Sequence, residues 1–139
     1  MDSIDMAGHL IRRLHQQSTQ VFVQRTQAAG FDVTAVQFAA LDAIQSQPGT
    51  DQASLAEMIA YDRATIGGVI ERLEQKGWVR RVVSERDRRA RELSLTAEGK
   101  RILAALLPVV RELQDEILQP LNEVDRARFL KLARKVVQA

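Results

Sequence analysis

The sequence predicts a mostly α-helical fold (α+β) that contains one two-stranded β-hairpin. Ala, Leu, Val, Arg, Glu and Gln abound while aromatic residues make up only 4% of the chain, a balance that favours helices over sheets. Apolar residues recur at three- and four-residue spacing over most of the length. Between Trp78 and Leu95 that period changes to two. With 139 residues and 45% hydrophobic content, the chain can bury one substantial core.

The elements follow in order. Ile4, Ala7, Ile11, Leu14 and Val21 give a long amphipathic helix from Ile4 to about Ala29, ended by Gly30. Thr34 is placed to cap a second helix with Val36, Leu41 and Ile44 inward, and Pro48-Gly49 closes it with a turn. Leu55, Met58 and Ile59 mark a short third helix. Asp62 caps a fourth, Arg63 to Lys76, with Ile66, Ile70 and Leu73 inward and Gly77 as its stop. The tight connection around Ala60-Tyr61-Asp62 makes these two helices a helix-turn-helix.

Trp78 to Val83 and Arg91 to Leu95 read as two strands around a polar tip, Ser84 to Ala90. Leu93 and Leu95 share the face that packs on the helices. Thr96 caps a fifth helix bearing Ile102, Leu103, Leu106, Leu107, Val110, Leu113 and Ile117, with a kink expected at Pro108 and an end at Pro120. Asn122 caps a last helix with Val124, Leu130, Leu132 and Val136. A helix-turn-helix followed by a hairpin is the outline of a winged helix-turn-helix. The expected organisation is an N-terminal helix over 1–32, a winged lobe over 33–99 and C-terminal helices over 100–139.

The net charge is only +2, but it is unevenly spread. Lys76, Arg80, Arg81, Arg86, Arg88, Arg89 and Arg91 face only Glu85 and Asp87, so 76–91 carries +5 and the remainder −3. Charge runs are commonly solvated turns. Here the run sits on a hairpin behind a helix-turn-helix and is nearly all arginine, whose planar fork suits phosphates and narrow minor grooves. On the fourth helix Arg63, Ala64, Thr65, Gly68 and Arg72 fall opposite the apolar stripe, an outer face small enough to enter a major groove. Gly67 and Gly68 cost helix stability, so each permits close approach of DNA or tight packing of a neighbouring helix.

Several classes are disfavoured. There is no cysteine, which removes disulfides, thiolate metal sites and thiol redox sensing. No nucleophile motif, phosphate loop or paired carboxylate setting suggests an enzyme. The two histidines, six residues apart on a helix, do not form a metal pair, and no cofactor is expected. The opening Met1-Asp2-Ser3-Ile4-Asp5 lacks the character of a leader and no apolar run reaches transmembrane length, so the expected location is the cytoplasm.

The chain resembles the MarR family, the multiple antibiotic resistance regulators. The resemblance rests on Leu55-Ala56-Glu57, on Asp62-Arg63-Ala64-Thr65, on Arg72 through Val79, and on Asp87-Arg88-Arg89-Ala90 with the trailing Leu93-Ser94-Leu95-Thr96. It is dense from Thr34 to Gly99. It implies a homodimer in which the first, fifth and sixth helices of two copies intertwine, so that two recognition helices read a palindrome in double-stranded DNA. Arg89 would enter the minor groove, Asp87 would order the wing, and Arg86 and Arg88 would be further contacts.

The resemblance also implies a small-molecule effector between the dimerisation helices and the winged lobe. Gly8 through Arg13 is similar to the first helix of relatives that sense aromatic acids, making His9, Arg12, Arg13 and His15 the candidates for holding a carboxylate. The function so implied is repression of a promoter, relieved by an inducer. A nonspecific architectural DNA-binding protein is the alternative.

Overall fold

A computed structural model describes residues 2–59 and 61–138. Ala60, which the sequence places in the turn of the helix-turn-helix, lies outside the described residues. Six α-helices and one hairpin follow in the order α1 (Ala7–Ala28), α2 (Ala35–Ser46), α3 (Gln52–Met58), α4 (Arg63–Gln75), β1 (Val79–Val83), β2 (Arg91–Leu95), α5 (Ala97–Ile117) and α6 (Glu123–Val137). Among the described residues, no helix is long and apolar enough to cross a membrane.

The capping residues do their work locally, with Asp51 of α3 joining those the sequence predicts. Thr34 Oγ1 accepts from the Gln37 amide while Gln37 Oε1 accepts from the Thr34 amide, a complete capping box. Asp51, Asp62, Thr96 and Asn122 each accept from a backbone amide three residues on. Gly77, at φ +77°, closes α4: its amide reaches the Glu74 carbonyl and that of Trp78 reaches the Leu73 carbonyl, both orphans of the last turn.

Two boundaries and one inward residue differ from the sequence reading. Asp2–Asp5 forms a 3₁₀ turn, because the Met6 amide bonds back to the Ser3 carbonyl and Met6 is extended; α1 therefore starts at Ala7. β1 starts at Val79, since the carbonyl of Trp78 is taken by the Thr96 amide where the hairpin meets α5. Met58 is exposed, and α3 buries Leu55 and Ala56 instead, because its seven residues offer only one inward turn. α5 runs unbroken through Pro108.

The core has two parts. The larger lies within the winged lobe and includes Leu41, Ile44, Leu55, Ile66, Ile70, Leu73 and Leu93. Each such side chain contributes about 1.5–3 kcal/mol through burial. The smaller joins α1 to α5 through Phe22, Val33, Leu106, Val110 and Leu113. Phe38 and Trp78 are half-buried and pack against both parts. α6 buries none of its residues; Arg126 fastens its first turn by donating from Nε to the Leu118 and Leu121 carbonyls.

Candidate nucleic-acid interface

α4 presents two contrasting faces. Ile66, Ile70 and Leu73 are fully buried, and Arg63, Ala64, Thr65, Gly68 and Arg72 are exposed, as their spacing around a 3.6-residue turn dictates. The two glycines separate. A Cβ on Gly67 would lie 3.0 Å from Gln52 Nε2, the amide that donates to the Arg63 carbonyl, so Gly67 serves the packing of α3 against α4. A Cβ on Gly68 would meet nothing within 4 Å, which leaves a smooth, open patch.

The start of α4 is tightly organised. Asp62 Oδ1 accepts from the Thr65 amide and Asp62 Oδ2 from the Thr65 hydroxyl, each at 2.8 Å. These bonds hold the Asp62 carboxyl below its usual range, the backbone bond first and the hydroxyl second. The Thr65 hydroxyl proton is thus committed inside the protein, and its oxygen is left as an acceptor.

The hairpin is an antiparallel ladder that pairs Val79 with Leu95 and Val83 with Arg91. Val79 and Leu93 are buried and anchor its base. β2 is also held from outside, since the Leu93 amide donates to the Thr50 carbonyl and the Leu93 carbonyl accepts from Gly49, at 2.8 and 2.9 Å. The wing is therefore fastened to the connection between α2 and α3.

Its tip is built around two short side chains. Buried Ser84 accepts from the amides of Arg86 and Asp87, and Asp87 accepts from the Arg89 amide at 3.0 Å. Ser84 was not singled out by the sequence, although a serine opening a polar turn is a recognisable signal. The Arg89 side chain is 96% exposed, and its Nε lies 3.8 Å from Asp87 Oδ1. Arg86 and Arg88 are exposed, and their guanidinium groups make no hydrogen bond among the described residues. The local +5 is partly spent within the molecule. Arg81 pairs with Glu74 at 2.7 Å, Arg91 Nη1 donates to the Arg88 carbonyl, and Lys76 turns inward.

The four candidates for an acid-binding site do not all border one groove. His9 and Arg13, four apart, border one open groove on α1, and Arg12 and His15 border another that Arg13 also reaches. Of the four, His15 alone also lines a cavity of about 270 Å³ between α1, α2 and α5. Its other walls include Ser18, Thr19, Phe22, Phe38 and Gln114. The rings of Phe22 and Phe38 stand 6.3 Å apart, tilted by 47°. This mixture of apolar walls and a few polar groups is the usual make-up of a small-molecule site. Sequence reasoning did not select these walls, because they come from three helices.

The comparisons with known proteins agree with this architecture. The profile of the MarR family matches residues 33–90, the winged lobe up to the wing tip. The chain is 37% identical over 133 residues to the transcriptional regulator HosA of Escherichia coli O111:H-, covering 96% of each protein. It is 33% identical over 138 residues to the HTH-type transcriptional repressor NicR of Pseudomonas putida, covering 99% of this chain and 86% of NicR. BpsR of Bordetella bronchiseptica, whose DNA binding is regulated by 6-hydroxynicotinic acid, superposes with a TM-score of 0.90 at 29% identity, over 98% of this chain and 96% of that one. With relatives this similar along nearly their whole length, the chain belongs to the MarR family of transcriptional regulators and has the winged helix-turn-helix fold.

Proposed function

We propose that the protein is a homodimeric repressor that occupies a palindromic operator in double-stranded DNA and leaves it on binding a small aromatic carboxylate. The observation that carries the DNA-binding part is the division of α4: its inner stripe is fully buried, while the outer face of Arg63, Ala64, Thr65, Gly68 and Arg72 is exposed, as are the wing-tip arginines Arg86, Arg88 and Arg89. In this reading α4 lies in the major groove with the small residues Ala64 and Gly68 allowing close approach. Arg89 enters the minor groove, Arg86 and Arg88 contact phosphates, and Asp87 shapes the tip. The exposed apolar residues of α1 and α6 pair two chains, setting two α4 helices at half-site spacing.

The effector part rests on the cavity between α1, α2 and α5, with His15 as the group that meets the carboxylate and Phe22 and Phe38 flanking the ring. His9, Arg12 and Arg13 lie outside that cavity in the single chain and contribute to the site only where paired α1 helices close their grooves. Repression is supported by the likeness to NicR, and regulation by an aromatic acid by the likeness to BpsR.

Fluorescence anisotropy of the protein with the duplex upstream of its own gene, against a scrambled duplex at two salt concentrations, tests this. The expected preference is on the order of 4–10 kcal/mol. Equal, salt-labile binding to both duplexes would favour the architectural alternative.

A further inference from the structure

The two parts of the core meet at a seam, and one cation spans it. Lys76, which ends α4, places its ammonium 4.6 Å from the centroid of the Trp78 ring. The same ammonium donates to the Asp32 carbonyl at 2.6 Å and to Gln37 Oε1 at 3.2 Å. The end of α4 is thereby tied to the connection between α1 and α2 and to the first turn of α2. Gln37 is buried, and its Oε1 also accepts from the Thr34 amide, so this acceptor is fixed to the backbone of that turn.

The first turn of α2 faces the cavity as well. Ala35 and Phe38, on either side of Gln37, line it. Phe38 and Trp78 each pack on both parts of the core, at the seam where the two parts meet. An occupant wedged between Phe22 and Phe38 therefore acts on the same turn that holds Lys76. The path runs from the cavity wall along the α2 backbone to the Gln37 acceptor, and from there through a hydrogen bond to Lys76 at the end of α4.

We propose that Lys76 is the positioning residue through which occupation of the α1–α2–α5 cavity changes the pose of α4. This rests on the reading that the cavity holds the effector and α4 meets DNA. Lys76 lies in the basic run, yet its ammonium is engaged by three partners inside the protein. Its role is therefore to connect rather than to bind phosphate. A ligand shifts an equilibrium only by its unequal affinity for two arrangements. The tether supplies that inequality, because a turn of α2 displaced by an occupant cannot keep both acceptors in place while α4 stays still.

The test compares DNA affinity with and without 6-hydroxynicotinic acid as probe, in wild type, K76M and K76R, together with calorimetric binding of the probe. In wild type the probe weakens DNA binding by about tenfold, within the usual range of coupling between sites. K76M binds the duplex and the probe separately but shows less than about a twofold effect of one on the other, and K76R restores the effect. A role in folding or phosphate contact alone would change affinity equally with and without probe. That result, or an undiminished probe effect in K76M, overturns the proposal.

Two further variants keep the outcome decisive. Should K76M not fold, Gln37→Leu removes the side-chain acceptor and must show the same loss of coupling, or the proposal falls. Should the probe leave wild type unmoved, Ser18→Phe fills the cavity from its wall. Weaker DNA binding in S18F but not in S18F/K76M supports the tether, and equal weakening in both overturns it. No effect of either probe or filling on wild type removes the effector reading, and the tether with it, while DNA binding by α4 stands.

Discussion

The winged lobe and the two ends of the chain carry similar apolar stripes and treat them in opposite ways. In the lobe Ile66, Ile70 and Leu73 are fully buried by α2, α3, the wing and α5. On the ends Ile11 is 61% exposed, Val124 64% and Leu132 56%. A stripe closed by neighbouring elements of its own chain makes a self-sufficient core. One left open on a long helix marks a surface that another molecule covers. Under the proposed function that molecule is a second copy, and the lobe's DNA-binding face depends on the ends to set its spacing.

The buried stripe is the more costly of the two to disturb. Leu73→Ala is expected to cost about 2–5 kcal/mol in denaturant unfolding, whatever the protein concentration. Leu132→Asp should leave the lobe folded and shift the sedimentation profile toward single chains. An equal, concentration-independent loss from both would mean that the ends form part of the same core. Gly99→Ala is the next largest. Its Cβ would sit 2.0 Å from the Trp78 carbonyl oxygen, so the base of the wing must move; about 1–3 kcal/mol of destabilisation in thermal unfolding is expected.

At the wing, replacing Arg86, Arg88 and Arg89 together by Ala should weaken DNA binding and flatten its log-log salt slope by up to about three, without changing unfolding. An unchanged slope would place the phosphate contacts elsewhere. Thr34→Ala removes half of a capping box and should cost about 1 kcal/mol in denaturant unfolding. The smallest effect concerns Asp62. Its folded-state carboxyl titrates below the unfolded one, so the unfolded state binds more protons as pH falls. The contribution is present above the ordinary aspartate range and is lost as pH drops through the lowered folded value. Thermal melts of Asp62→Asn should show a flatter acid limb than wild type.

Features that arise from residues close in sequence were legible. The caps at Thr34, Asp62, Thr96 and Asn122, the glycine stop at Gly77 and the buried stripe of α4 each depend on a few neighbouring positions. So did the division between Gly68, which is open, and the inward residues beside it, although Gly67 needed the position of Gln52 to be understood. What sequence missed was made by distant partners. The sequence groups Lys76 with the wing cations, yet its ammonium donates to the carbonyl of Asp32, 44 positions earlier. Gly99 is required by a carbonyl at the entrance to β1, which no periodicity reveals. The four acid-binding candidates lie on one helix, whereas the cavity draws its walls from three, and of the four it is His15 that borders it.

If the lobe acts in pairs set by the ends, the mass of the protein–DNA complex must show it. Sedimentation velocity of the protein with one upstream duplex should give a single saturated complex holding two chains per duplex, and Leu132→Asp should weaken it. A saturated, sequence-selective complex holding one chain would contradict the claim.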